Sequence, residues 1–332
     1  MGGILTSKLR SFLRHRAAGP VLALASLLAP GCGSTGPSDP PTHPAGATIT
    51  TTVVGERPFG LAVSVTGVVY VTQLDASAIT RLSLATGAIE GTVSVGAVPT
   101  DVEFDASGAT AYVTNQFSGN VGVVTVASGV ESATIPVGGT PFRVALQPGG
   151  SRVYASSNSD SVYAVNASSN TVTARIKVGL DPNGFAFNAN GSRLWVSNQS
   201  DGTITELNTA TNAVTRTLTV GGTPQDIVLS PDGTELYVAN LANGVQVWNV
   251  NTSTLIATIP LQGGGFGLAM TPDGAQLYAA ATLSGQVYVI DRTTREVIRI
   301  LSVGGLPRRI AFSAKGDVAV FSNEAGSVAF VR

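Results

Sequence analysis

Asp101 and Glu103 stand two residues apart inside the apolar run Val-x-Thr-Asp-Val-Glu-Phe. On a strand, side chains alternate with a period of two, so both carboxylates would leave the same side of the backbone. Such a pair has the atoms to hold a divalent cation through oxygen ligands, or to act as general acid and base. It equally suits a structural ion pair, for which Arg143 is a candidate partner. Other reactive groups are scarce. The two histidines are His15 and His43, and the single cysteine is Cys32, which allows no intramolecular disulfide. The chain beyond residue 43 therefore has no His-dependent mechanism open to it and lacks the usual transition-metal ligands. It shows no Asp-rich EF-hand loop and no Gly-rich phosphate loop opening a helix. No cofactor is predicted, and a divalent cation enters only with the carboxylate-pair reading.

What must position these residues is a repeat. A Val-Gly-x-x-Pro opening recurs at Val54, Val95, Val137, Val178, Val220 and Val303, with a degenerate copy at Leu261. Successive starts lie 41 or 42 residues apart. Seven copies at that period mark a repeat architecture, in which no copy buries a core alone. After the opening come a short apolar strand and a turn such as SPDG at 230–233. In that turn Pro presets φ and Gly accepts the left-handed conformation. A second strand such as LYVAN (236–240) follows, then a third such as QVYVID (286–291) and a fourth such as STLIATIP (253–260). Four short strands in about 40 residues make a propeller blade. The predicted fold is therefore all-β, a seven-bladed β-propeller of four-stranded antiparallel blades.

The ends of the chain bear on closure. The last copy stops at Arg332 after its third strand, while ATITTTVV at 47–54 resembles the fourth strands elsewhere. The N-terminal strand is predicted to complete the last blade, closing the ring and removing its open edges.

A closed ring gathers the Pro openings around one mouth of the central channel. The residue two after each Pro, or after Gly265, reads Gly60, Asp101, Arg143, Gly184, Asp226, Gly267, Arg309. The residue before it reads Phe59, Thr100, Phe142, Asn183, Gln225, Phe266, Arg308, and Arg57 precedes the first Pro. Folding needs none of this variety, so function would be written there. The candidate mouth residues are Arg57, Phe59, Asp101, Phe142, Arg143, Asn183, Gln225, Asp226, Phe266, Arg308 and Arg309. They have the makings of a mixed, partly apolar socket for a small ligand or peptide, or of a solvated ring of compensating charges. Glu103 is the sharpest exception, since its counterparts are Ala62, Ala145, Ala186, Val228, Ala269 and Ala311. An acid there must be hydrated by the channel or paired.

Charged residues are 12 % of the chain, against roughly 25 % in an ordinary soluble protein, and polar uncharged residues do most of the solvating. There are 19 basic and 20 acidic residues, and four of the basic ones precede Cys32, leaving 15 against 20 in the rest. That balance argues against nucleic acid as a partner.

Those four, Lys8, Arg10, Arg14 and Arg16, precede an apolar run at 17–29 too short to span a bilayer, so 1–31 reads as a signal peptide. Leu28-Ala29-Pro30-Gly31-Cys32 resembles a bacterial lipobox, with Ala29 where the pattern has Leu. The resemblance implies lipidation of Cys32 and a membrane anchor; an ordinary secretory signal is the other reading. Residues 32–46, rich in Pro, Gly and Ser, read as the lipidated Cys and its tether, and 47–332 as the propeller.

AYVTN at 111–115, with LYVAN at 236–240 and LWVSN at 194–198, resembles the YVTN family of seven-bladed propellers over roughly 47–332. The motif departs from the pattern at 154–157, 278–281 and 320–323. Members of that family are mostly bacterial or archaeal surface and periplasmic proteins, many with no assigned reaction. The resemblance implies an exported cell-envelope protein at the outer membrane, the cell surface or facing the periplasm. The first functional reading is a binding or scaffolding module for a protein, peptide or glycan at the channel mouth. The alternative is a metal-dependent hydrolase of the lactonase kind, with Asp101 and Glu103 catalytic.

Overall fold

The repeat is an instruction for four antiparallel strands, and each copy follows it. The computed structural model describes residues 44, 48–55 and 57–332, and contains seven four-stranded sheets. The signal (1–31), Cys32 and all of the tether except Pro44 lie outside the described residues. Blades 1 to 6 span residues 58–94, 99–136, 141–177, 182–219, 224–259 and 268–302, each in the order inner, second, third, outer strand. Blade 7 takes three strands from 307–331, and its outer strand is Ile49–Val53, from the other end of the described chain. Ile49 pairs with Val331 and Val53 with Ser327. The chain ends thus close the ring as predicted.

Blades cohere through apolar seams. The Tyr of the second strand lies against an aromatic of the next blade's inner strand: Tyr70 on Phe104, Tyr154 on Phe187 and Tyr278 on Phe312, with ring centroids 4.8, 5.6 and 5.0 Å apart. Seven such clusters of buried side chains, one per seam, form the core. Sheets buried on both faces explain why the strands read as near-continuous apolar runs.

In six of the blades the inner strand is irregular just after its Pro, where the register with the second strand shifts. The shift takes one amide out of the ladder, and a buried amide without a partner costs about 1–3 kcal/mol. In four of the six a hydroxyl of the second strand accepts it: Gly60 N donates to Thr72 Oγ1 (2.8 Å), Arg143 N to Ser156 Oγ (3.0 Å), Gly184 N to Ser197 Oγ (2.7 Å) and Arg309 N to Ser322 Oγ (3.0 Å). Ser197 and Ser322 then donate onward to the next blade, at Gln225 O (2.6 Å) and Phe59 O (2.5 Å). One hydroxyl thus completes its own blade and ties it to its neighbour. The Asn that follows it ties down the Pro opening: after Ser322, Asn323 Oδ1 accepts from Leu306 N (2.7 Å) while its Nδ2 donates to Gly304 O (2.8 Å).

Candidate functional site

The inner strand of each blade starts at its Pro opening, so that end of the ring carries the predicted mouth residues. The two rows read from the repeat form two layers. In the outer layer, Phe59 from blade 1 meets Phe142 of blade 3 and Phe266 of blade 6 edge to face, at 5.8 and 5.9 Å between centroids. Leu74, Leu241 and Val98 pack on them. Phe59 and Phe266 are buried. Arg308 lies over Phe266 at 4.6 Å and Phe59 at 5.5 Å, and Arg309 over the same rings at 5.4 and 5.7 Å. The Arg308 side chain is fixed by Glu324, whose other partner is Arg57, itself paired with Asp75.

One residue deeper is a belt of charge that crosses the ring. Arg143 of blade 3 reaches Asp101 of blade 2 (3.4 Å) and Asp226 of blade 5 (3.0 Å). Arg309 of blade 7 reaches the same Asp226 (3.2 Å) and, at 3.4 Å, Asn183 Oδ1 of blade 4, whose Nδ2 donates to Gln225 Oε1 (3.1 Å). Each aspartate also accepts an amide from the following blade: Val144 N to Asp101 Oδ2 (3.0 Å) and Leu268 N to Asp226 Oδ2 (3.2 Å). Asp101, Asp226 and Arg309 are each only 2–3 % exposed. Burial, reinforced by Arg143, lowers the Arg309 guanidinium to about 10, and Asp226 and Asp101 oppose that fall. Burial pushes Asp101 upward, against the pull of Arg143, Arg309 and the Val144 amide. Two aspartates and two arginines leave the belt neutral.

The remaining positions of the deeper row are glycines for a packing reason. A Cβ at Gly60 would lie 2.6 Å from Asp101 Cα, and one at Gly267 would collide with the Arg308 carbonyl. Inner strands of adjacent blades meet there backbone to backbone. The sequence row thus mixes residues shaped by the seam with residues that project to the axis.

Glu103 does not join the belt. Its six counterparts pack into the seams, whereas Glu103 is exposed although it lies on an inner strand. Arg143 turns to Asp101 and Asp226, so the pairing of Arg143 with Glu103 considered from the sequence is not formed. Glu103 has no hydrogen-bond or ion-pair partner among the described residues. Its side chain is exposed to the channel yet enclosed by the surrounding inner strands. That enclosure, with repulsion from Asp101 and against the pull of Arg143, raises it to about 7. Asp101 and Glu103 therefore do not offer two free carboxylates: both Asp101 oxygens are bonded.

Sequence reasoning overlooked Glu324, the shared partner of Arg57 and Arg308, because a lone acid in a turn carries no pattern. It also overlooked apolar residues at the loop tips around the mouth. Phe117 (75 % exposed) and Leu283 (71 %) occupy turns between second and third strands, and Leu180 (51 %) lies in the opening of blade 4. The available signal was a large apolar residue in a turn otherwise made of Asn, Ser and Gly.

No protein-family model and no curated protein sequence matches the chain. Among solved structures, Kuenenia stuttgartiensis hydrazine synthase superposes with a TM-score of 0.78 at 18 % identity, covering 84 % of this chain and 96 % of that one. The likeness is one of fold. With 1897 solved chains matching, the propeller points to no single activity.

Proposed function

We propose that the chain is an exported, envelope-anchored propeller that binds or scaffolds a protein or peptide partner at the channel-mouth face. The observation that carries this reading is the filled mouth. Phe59, Phe142, Phe266 and the belt beneath them occupy the axis and pack against one another, so this end presents a surface rather than a hole. Surfaces suit macromolecular partners, and small ligands favour concave sites. Around that surface stand Phe117, Leu180 and Leu283. At the opposite end of the blades Val65 is exposed in a turn, at 61 %, and Ile49, Ile89, Val130 and Val297 are exposed where outer strands begin. The resemblance to YVTN propellers supports the assignment, as does the basic-then-apolar leader ending at Cys32. The described chain enters the ring at Thr48, at the end of the outer strand of blade 7 away from the mouth.

Co-purification from envelope extract tests the docking face. Phe117→Asp with Leu283→Asp is expected to lose the partner and Val65→Asp to keep it; partner retention by the first variant overturns the assignment. Incorporation of a labelled fatty acid, abolished by Cys32→Ser, checks the anchor. The hydrolase alternative keeps one free carboxylate, Glu103, and stands or falls on a turnover that Glu103→Gln removes.

A further inference from the structure

A groove of about 560 Å3 lies between the outer halves of blades 3 and 4. Its floor holds Thr203, Thr205 and Thr217, and its rims Lys177 and Asp201, with Val178 and Val214 as apolar patches. The volume falls within the ordinary range of small-molecule sites, roughly 300–1,000 Å3.

The groove is open because of two residue choices. Thr205 and Thr217 are a cross-strand pair on blade 4. The corresponding pair on blade 3 is Tyr163 and Arg175, with the guanidinium 5.9 Å from the ring centroid, and on blade 6 it is Tyr288 and Ile300. On blade 2, Glu131 fills the space above Gly122. Blade 1 repeats the threonines as Thr80 and Thr92, but has Val53 and Ala76 where the groove has Lys177 and Asp201.

The floor hydroxyls are held from beneath by the buried Asn198. Asn198 Nδ2 donates to Thr203 Oγ1 (3.0 Å) and Thr205 Oγ1 (2.9 Å), while Asn198 Oδ1 accepts from Gly179 N (3.1 Å). Both hydroxyls are therefore acceptors toward Asn198, and neither hydroxyl proton has an acceptor among the described residues. Thr205 is 2 % exposed, so its undonated proton is a buried donor that a ligand oxygen would satisfy. On the rim, Asp201 Oδ2 accepts from Leu180 N (2.8 Å), which leaves Oδ1 open as an acceptor.

We propose that this groove binds a saccharide. A sugar's hydroxyls take protons from Thr203 and Thr205 and give one to Asp201, while its C–H face rests on Val214. A simple anion would meet Asp201 and a simple cation Lys177, so a neutral polyol fits both rims.

The test is a titration of the folded propeller with glucose, galactose, N-acetylglucosamine and cellobiose, read by the methyl NMR signals of Thr203, Thr205 and Thr217. At least one sugar is expected to move these signals saturably. Thr205→Tyr with Thr217→Arg, which rebuilds the blade 3 pair, is expected to abolish the response. Thr205→Val, which keeps the shape and removes the donor, is expected to weaken binding about tenfold. Failure of all four sugars to move the signals overturns the proposal, as does an equal response in the filled variant. Partner capture at the mouth is unaffected by either outcome, so the two assignments fail separately.

Discussion

At the seam between blades 4 and 5, one hydroxyl, Ser197, accepts the Gly184 amide and donates to the Gln225 carbonyl. At the axis one residue further along, Asp226 accepts from Arg143, Arg309 and the Leu268 amide, and no other blade has this arrangement. Both regions bury polar groups and pair them, although at the axis Arg309 Nε is left without a partner among the described residues. The seam does so with a small neutral group that recurs in four of the blades. The axis uses charges that differ at every step and answer one another across the ring. A seam residue is thus explained by its own blade and the next, while an axis residue is explained only by the whole ring.

The sharpest way to break this comparison is Asp226→Ala, which leaves the Leu268 amide buried without its acceptor and Arg309 with only Asn183 Oδ1, and removes one partner of Arg143. Removing one partner of a buried pair costs about 3–5 kcal/mol, measured as a fall in urea-unfolding free energy. Asp226→Leu with Arg309→Met removes both charges and leaves Arg143 with Asp101. Much of that loss is expected to return, because buried ion pairs replaced by apolar residues are often neutral in stability.

A seam substitution is milder. Ser197→Ala strips the Gly184 amide and the Gln225 carbonyl of one partner in a single step, at about 1–3 kcal/mol. The same measurement checks it. Equal costs for Asp226→Ala and Ser197→Ala would erase the distinction between axis and seam.

Glu103 sharpens the comparison through pH. Its carboxyl is held at about 7 in the folded protein, above its ordinary 4.5. As pH rises the unfolded chain releases this proton first, so the folded state is penalised progressively between those values and fully above about 7. Glu103→Gln is therefore expected to melt higher than the wild type at pH 8 and level with it at pH 4. A difference that does not change with pH would show that enclosure does not govern this carboxyl. Phe117→Asp is expected to have the smallest effect on stability, within about 0.5 kcal/mol as for exposed sites generally, while removing partner binding.

The ring was legible because a 41- or 42-residue period, the turn chemistry and the strand left over at the N-terminus all agree. The mouth residues were legible as a set, since alignment of the copies picks out Asp101, Arg143, Asp226 and Arg309. Their pairing was not. Arg143 meeting Asp226 across 83 positions depends on the diameter of the closed ring and on rotamers, neither of which is written in a repeat. The same holds for Glu103, whose nearest arginine is taken up by Asp101 and Asp226 in a belt of two aspartates and two arginines. The groove between blades 3 and 4 was hidden for another reason. It arises from what Thr205 and Thr217 do not fill, and small residues on a strand carry no signal of their own.

The most direct test of the account is site-specific photo-crosslinking in intact cells, with the photoreactive residue at position 117 on the mouth face or at position 65 on the opposite face. A discrete adduct from 117 and none from 65 is the predicted result. An adduct from 65 alone would place the partner on the other face and contradict the assignment of the filled mouth as the docking surface.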